Sequence, residues 1–175
     1  NDTILAGLDY LLMEMGKRKM LAVLYLNNSW EWSGGYGYYL EQAGFGKAPL
    51  PSIDGYSAFR NFVAKYASCE KAHQLFYDYV KFILTRTNRY TKKKYKDDPA
   101  IMSWQIGNEP RAFSKEQLPA FEKWLGEASK LIRSLDKNHL ISIGSEGKFG
   151  CEGELNCWER ICADKNVDYC NIHLW

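Results

Sequence analysis

The sequence predicts an α/β fold in which successive strand–helix units build a parallel sheet. Three observations carry this. Apolar runs at 20–26, 100–106, 139–143 and 167–172 are continuous rather than alternating, as in strands covered on both faces. Stretches with apolar residues at helical spacing separate them. Polar residues gather just past the strand ends: Asn27 and Asn28, Asn108 and Glu109, Glu146, and His173. In a β/α barrel those positions share one rim, where active sites are built.

Each element follows from its own residues. Ile4, Leu5, Leu8, Leu11, Leu12 and Met15 recur at helical spacing, and Gly16 offers a stop. After the first strand, residues 27–54 hold Gly34, Gly35, Gly37, Gly44, Gly46, Pro49 and Pro51 among many aromatics. This predicts a long ordered loop, and loops of that length are uncommon unless functional. A helix is expected over 56–66. A longer one from Glu70 to about Tyr90 presents Phe76, Tyr79, Val80, Ile83 and Leu84 inward. Asp98 and Pro99 turn the chain into the strand at 100–106. Ser114 can cap the next helix, which runs to about Leu135 with Leu118, Phe121, Trp124, Leu125, Leu131 and Ile132 inward. The cysteine-bearing stretch 148–166 reads as loop with a short helix near Trp158, before the last strand at 167–172.

Four parallel strands fit half of a barrel or an open doubly wound sheet. No Gly-x-Gly-x-x-Gly follows any strand and no phosphate loop is present, so a nucleotide-binding fold has little support. A complete (β/α)8 barrel takes roughly 250 residues, more than the 175 of this chain.

Composition narrows the class further. Six Trp and twelve Tyr suit a groove for sugars, whose apolar ring faces stack on aromatic rings, and equally suit a well-packed core. The net charge of +2 is small, and the basic run at 89–96 leads straight into two Asp residues without any nucleic-acid motif. No stretch approaches the roughly 20 apolar residues of a membrane span. No signal peptide opens the chain, which begins as though inside an element. Of five cysteines, Cys151, Cys157, Cys162 and Cys170 lie close together and permit local disulfides, favouring an oxidising compartment. The odd number leaves at least one free or paired elsewhere, with Cys170 expected to be buried in its strand. Their spacing does not suit zinc.

Glu109 stands between Asn108 and Pro110 at the end of an apolar strand. A carboxylic acid that donates a proton near neutral pH needs partial burial among apolar groups. Pro110 restricts the conformation of the residue before it and so defines the exit from the strand. A helix cap or a partner for Arg111 is the structural alternative for this Glu.

The run Ile-Met-Ser-Trp-Gln-Ile-Gly-Asn-Glu-Pro-Arg at 101–111 resembles the fourth-strand motif of the retaining glycoside hydrolase family 5. Leu-Asn-Asn-Ser-Trp at 26–30, followed by Gly34 and Gly35, is similar to the third-strand loop of its endo-β-1,4-mannanase subgroup. Ile-Gly-Ser-Glu-Gly at 143–147 resembles the fifth-strand signature, and Asn-Ile-His-Leu-Trp at 171–175 the sixth-strand His with its aromatic neighbour. The resemblance spans essentially the whole chain, in family order. It implies that residues 1–175 are a central segment of a (β/α)8 TIM barrel, about strands three to six, with the aromatic loop at 27–54 and the Cys-rich loop at 148–166.

The resemblance also implies roles. Glu109 would be the general acid/base. Asn108 would hydrogen-bond the hydroxyl next to the reacting carbon, and His173 would stand near the reacting sugar. Arg111 and Glu146 match residues on the leaving-group side of the cleft. Trp30 and Trp175 are candidate stacking platforms, with Asn28 among the substrate-binding residues. Two departures stand out: Ser29 is inserted before Trp30, and Trp175 replaces a common Tyr. The chemistry implied uses no metal and no other cofactor, and no obligate protein partner is inferred.

A retaining glycosidase needs two carboxylates roughly 5–5.5 Å apart. The family places its nucleophile at the end of strand seven, beyond this chain, which is therefore expected to be part of a longer polypeptide and inactive alone. The expected substrate is β-mannan, galactomannan or glucomannan, met outside the cell or in its envelope. The rivals are an endo-β-1,4-glucanase of the same clan and a non-catalytic carbohydrate-binding barrel.

Overall fold

Three short parallel strands, β1 (Ala22–Tyr25), β2 (Ile101–Gln105) and β3 (Leu140–Ser142), lie in that order at the centre of the computed structural model, which describes residues 1–174. The seven helices described are α1 (Asp2–Lys17), α2 (Gly35–Ala43), α3 (Pro51–Asp54), α4 (Tyr56–Val63), α5 (Glu70–Thr85), α6 (Leu118–Leu135) and α7 (Leu155–Cys162).

The sheet has two unlike faces. Leu24, Trp104 and Ile141 share one row of the register. Their side joins the core of Phe59, Tyr66, Phe76, Leu84, Trp124 and Ile132 supplied by the helices. On the other face Val23, Tyr25 and Leu140 are exposed. Helix α6 buries Phe121, Trp124, Leu125 and Ile132 as its periodicity requires. Helix α5 buries Phe76, Val80, Ile83 and Leu84, whereas Tyr79 is exposed. In α1 only Leu12 of the expected apolar stripe is buried, while Ile4 and Leu11 face outward.

Several expectations are corrected. Residues 27–54 are not a loop throughout, because α2 and α3 lie within them. Two of the glycines that suggested a loop are helix ends: Gly34 precedes α2, and Gly44 closes it in the left-handed region at φ 102°, where the missing Cβ removes the steric penalty; Gly35 and Gly37 lie within the helix. Tyr36 and Leu40, four apart, supply the buried face. Helix α5 stops at Thr85 rather than near Tyr90 because Arg86 turns away to the buried Asp9. Ser114 makes no side-chain capping bond, and a 3-10 turn at Lys115–Gln117 leads into α6 instead.

The predicted last strand is reduced to one parallel bridge, Ser142 to Tyr169. Side chains substitute for the ladder there. The Ile141 amide donates to the Asp168 carboxylate at 2.7 Å, and the Gly144 amide to Asn171 Oδ1 at 3.1 Å. Cys170, expected to be buried, is exposed and disulfide-bonded to Cys162. Cys151 pairs with Cys157, leaving Cys69 free.

Candidate active site

Backbone hydrogen bonds continue past the strand ends and carry the polar residues to one rim. Ile106 and Gly107 donate to Ser142 and Ile143, and Asn108 donates to Asn27 at 2.8 Å. Asn28 and Asn108 form a further parallel bridge. Two glycines permit this close approach. At Gly144 (φ 81°) a Cβ would stand 1.9 Å from the Gly107 carbonyl oxygen. At Gly35 (φ 54°) it would stand 2.3 Å from that of Trp30. No other residue fits either place.

Glu109 occupies the turn after β2 with φ 51°, a left-handed conformation that costs a non-glycine residue on the order of 1–3 kcal/mol. Neighbouring strands hold it there. Its amide donates to the Gly144 carbonyl at 3.0 Å, and the Ser29 hydroxyl donates to its own carbonyl. The residue is 7% exposed. Trp30 Nε1 donates to Oε2 at 2.6 Å, and His173 Nδ1 lies 2.6 Å from Oε1. Both carboxyl oxygens are therefore engaged, and the carboxyl borders a cleft of about 510 Å³.

Arg111 and Glu146 face each other across that cleft's wall as a two-pronged ion pair. Arg111 Nη2 donates to Glu146 Oε2 at 2.6 Å and Nε donates to Oε1. Glu146 is nearly buried, and each of its oxygens accepts from the guanidinium. A carboxylate so engaged is a poor nucleophile and a good fixed wall. The Arg111 guanidinium also lies 5.1 Å from the Trp30 ring centre.

Of the residues singled out from the sequence, Asn108, Glu109, Arg111, Glu146, His173 and Trp30 line this one cleft. Asn28 does not. It lies 2% exposed behind the wall, where its Oδ1 accepts from the Trp30 amide at 3.0 Å. Asn27 braces it in turn, accepting from the Asn28 amide and donating to Tyr66. Trp175 lies outside the described residues. Trp32 and Tyr56 also line the cleft and were missed. Both stand half exposed or more; in the sequence Trp32 is only part of the aromatic-rich stretch 27–54, and Tyr56 only the start of the helix expected over 56–66.

The profile of the GH family 5 beta-mannosidase-like proteins matches residues 1–175. The chain belongs to this family. Among curated family 5 relatives, mannan endo-1,4-beta-mannosidase 4 of Solanum lycopersicum is 36% identical over 150 residues, covering 86% of this chain and 35% of the relative. The protein of the same name from Oryza sativa subsp. japonica is 31% identical over 190 residues, covering 100% of this chain and 38% of the relative. Among solved structures, a glycoside hydrolase family 5 mannosidase from Rhizomucor miehei superposes with a TM-score of 0.86 at 35% identity, covering 100% of this chain and 41% of that one. The endo-1,4-beta-mannanase of the same organism gives a TM-score of 0.77 at 27% identity, covering 96% and 48%. This mixed helix–sheet chain thus shares its fold with part of the family 5 mannanases, and spans little more than a third of the curated relatives' length.

Proposed function

We propose that residues 1–175 form the acid/base-bearing part of a retaining endo-β-1,4-mannanase, the central segment of its (β/α)8 barrel. The observation that carries this is the Glu109 carboxyl, fixed on both oxygens at the edge of a cleft with aromatic rings on one side. In the first step Glu109 gives its proton to the glycosidic oxygen while that oxygen takes the electron pair of the breaking bond. In the second it takes a proton from the water that releases the sugar.

The second carboxylate, the nucleophile, belongs to chain outside these residues. Glu146, bound on both oxygens by Arg111, serves the wall of the leaving-group side. Asn108 meets the hydroxyl beside the reacting carbon, and the exposed Trp32 ring gives an apolar sugar face a surface to stack on. The substrate is a mannan-type polysaccharide, the class named by the curated relatives. The two disulfides support a site of action outside the cytosol.

The test is release of reducing ends from β-mannan by the full polypeptide containing these residues. We expect Glu109→Gln to lower kcat by about 10²–10⁴-fold, the usual contribution of a general acid. A well-folded full polypeptide without activity on mannan would sink the assignment.

A further inference from the structure

The Trp30 ring, a sugar platform by its place in the sequence, has little room for a sugar. Phe59 lies near-parallel to it at 6.3 Å and 16°, and Trp32 at 6.0 Å and 26°. Phe113 meets it edge-on at 5.6 Å, and the Arg111 guanidinium lies 5.1 Å from its centre. The rings that face the cleft openly are Trp32 and Tyr56, half exposed or more.

We propose that Trp30 is a positioning residue for the acid/base: its indole N–H holds the Glu109 carboxyl in the orientation from which the proton is delivered. This rests on the mannanase reading of Glu109. Rotation of a carboxyl about its last torsion is broad and two-fold. A donor fixed 2.6 Å from Oε2 selects one orientation, in which Oε1 is the oxygen that meets His173 Nδ1. The indole nitrogen only donates, so it cannot take the proton meant for the glycosidic oxygen. As that proton leaves, the C–O bond breaks with its electron pair going to the oxygen, and the anomeric carbon passes to the second carboxylate. Glu109 then bears a negative charge. A hydrogen bond from a neutral donor to a carboxylate is stronger than one to a neutral acid. The Trp30 bond therefore favours the transition state over the ground state, and only such a difference accelerates the step.

Ser29 completes the arrangement. It is fully buried. Its amide donates to the Asn108 carbonyl at 3.3 Å and its hydroxyl to the Glu109 carbonyl. One dipeptide thus holds both the left-handed backbone and the carboxyl of the acid/base.

Trp30→Phe keeps a ring and removes the N–H. In the full polypeptide, we expect kcat/KM on a manno-oligosaccharide, whose leaving group needs a proton, to fall about 10–100-fold, part of what general acid catalysis supplies. On a dinitrophenyl β-mannobioside, whose leaving group departs without one, the fall should be under about threefold, since the same acid step is bypassed. An equal fall on both substrates, with a raised KM, would make Trp30 a sugar contact and overturn the proposal. A second measurement is independent of turnover. The Trp30 indole N–H proton resonance, assigned by its loss in Trp30→Phe, should shift on Glu109→Ala; a resonance that stays in place overturns the proposal even in a protein that hydrolyses no mannan. Failure of the wild type on both substrates would instead count against the mannanase reading.

Discussion

Two carboxylates in this chain are each held by one Trp and one His, in different surroundings. Asp136, before β3, accepts from Trp104 Nε1 at 2.6 Å and lies 2.7 Å from His139 Nδ1. Glu109, after β2, accepts from Trp30 Nε1 at 2.6 Å and lies 2.6 Å from His173 Nδ1. The difference lies in what surrounds each set. Asp136 also accepts the backbone N–H groups of Asn138 and His139, and the far nitrogen of His139 meets the Asp98 carbonyl at 3.0 Å. Asp136 and His139 are buried, and both carboxyl oxygens of the first and both ring nitrogens of the second have partners. Among the described residues the Glu109 carboxyl receives no backbone N–H, and it borders the open cleft. A closed set of this composition is a staple; an open one can exchange its proton with a bound substrate. Their places agree with this, since β/α folds keep chemistry at the carboxyl ends of strands and stability at the other.

The comparison can be broken by exchanging the damage. Glu109→Gln should cost most of the activity while moving the unfolding free energy of the full polypeptide by less than about 1 kcal/mol, because Gln keeps the volume and an acceptor oxygen for the Trp30 indole. Asp136→Ala should lower that free energy by about 3 kcal/mol, because it strands the buried Trp104 and His139 donors, and leave the turnover of the folded fraction intact. Chemical denaturation and mannan hydrolysis on the two variants decide it. Loss of stability in the first or of specific turnover in the second would erase the distinction.

The pH dependence sharpens it. Burial pushes the Asp136 carboxyl up, but the bonds from His139, Trp104 and two backbone amides outweigh it and hold it at about 2. Its folded value is below its ordinary 3.8, so its stabilisation is present above that value and fades as pH falls through about 2. Burial pushes His139 down, but the Asp136 bond and charge outweigh it, raising it above its ordinary 6.5. That contribution is full below 6.5 and fades as pH rises through the folded value. Denaturation midpoints measured against pH should lose both slopes in Asp136→Asn. Unchanged slopes would show that other groups set them.

The smallest effect concerns the two histidines. His139 is anchored by its neighbours, whereas His173 sits in a segment tied to α7 by the Cys162–Cys170 disulfide. Replacing both cysteines with Ser should cost about 2 kcal/mol for so short a loop and reduce turnover a few-fold. Removal of Cys151–Cys157 should leave turnover closer to wild type. Equal effects on turnover would show that the tether does not serve His173.

How legible this was in the sequence depends on the range of the forces involved. The strands at Ala22–Tyr25 and Ile101–Gln105 and the helix Leu118–Leu135 follow from periodicity, a local signal. The gathering of Asn108, Glu109, Glu146 and His173 was legible because parallel strands put their ends at one rim. Helix α2 was hidden because its glycines serve equally as loop residues and as caps. The weakness of the last strand was hidden because Asp168 and Asn171 replace ladder bonds with side-chain bonds, which composition does not encode. The Trp30 bond to Glu109 joins residues 79 apart, and the sequence shows only an aromatic near a polar motif.

Gly144 sets a limit for anyone who would engineer this cleft. Its backbone stands so close to the Gly107 carbonyl and the Gln105 side chain that a single added carbon has nowhere to go. A saturation library at that position should return glycine alone, although the residue is not among those that line the cleft. Diversity is better directed to Trp32 and Tyr56, whose exposed rings can change without moving the rim on which Glu109 is hung.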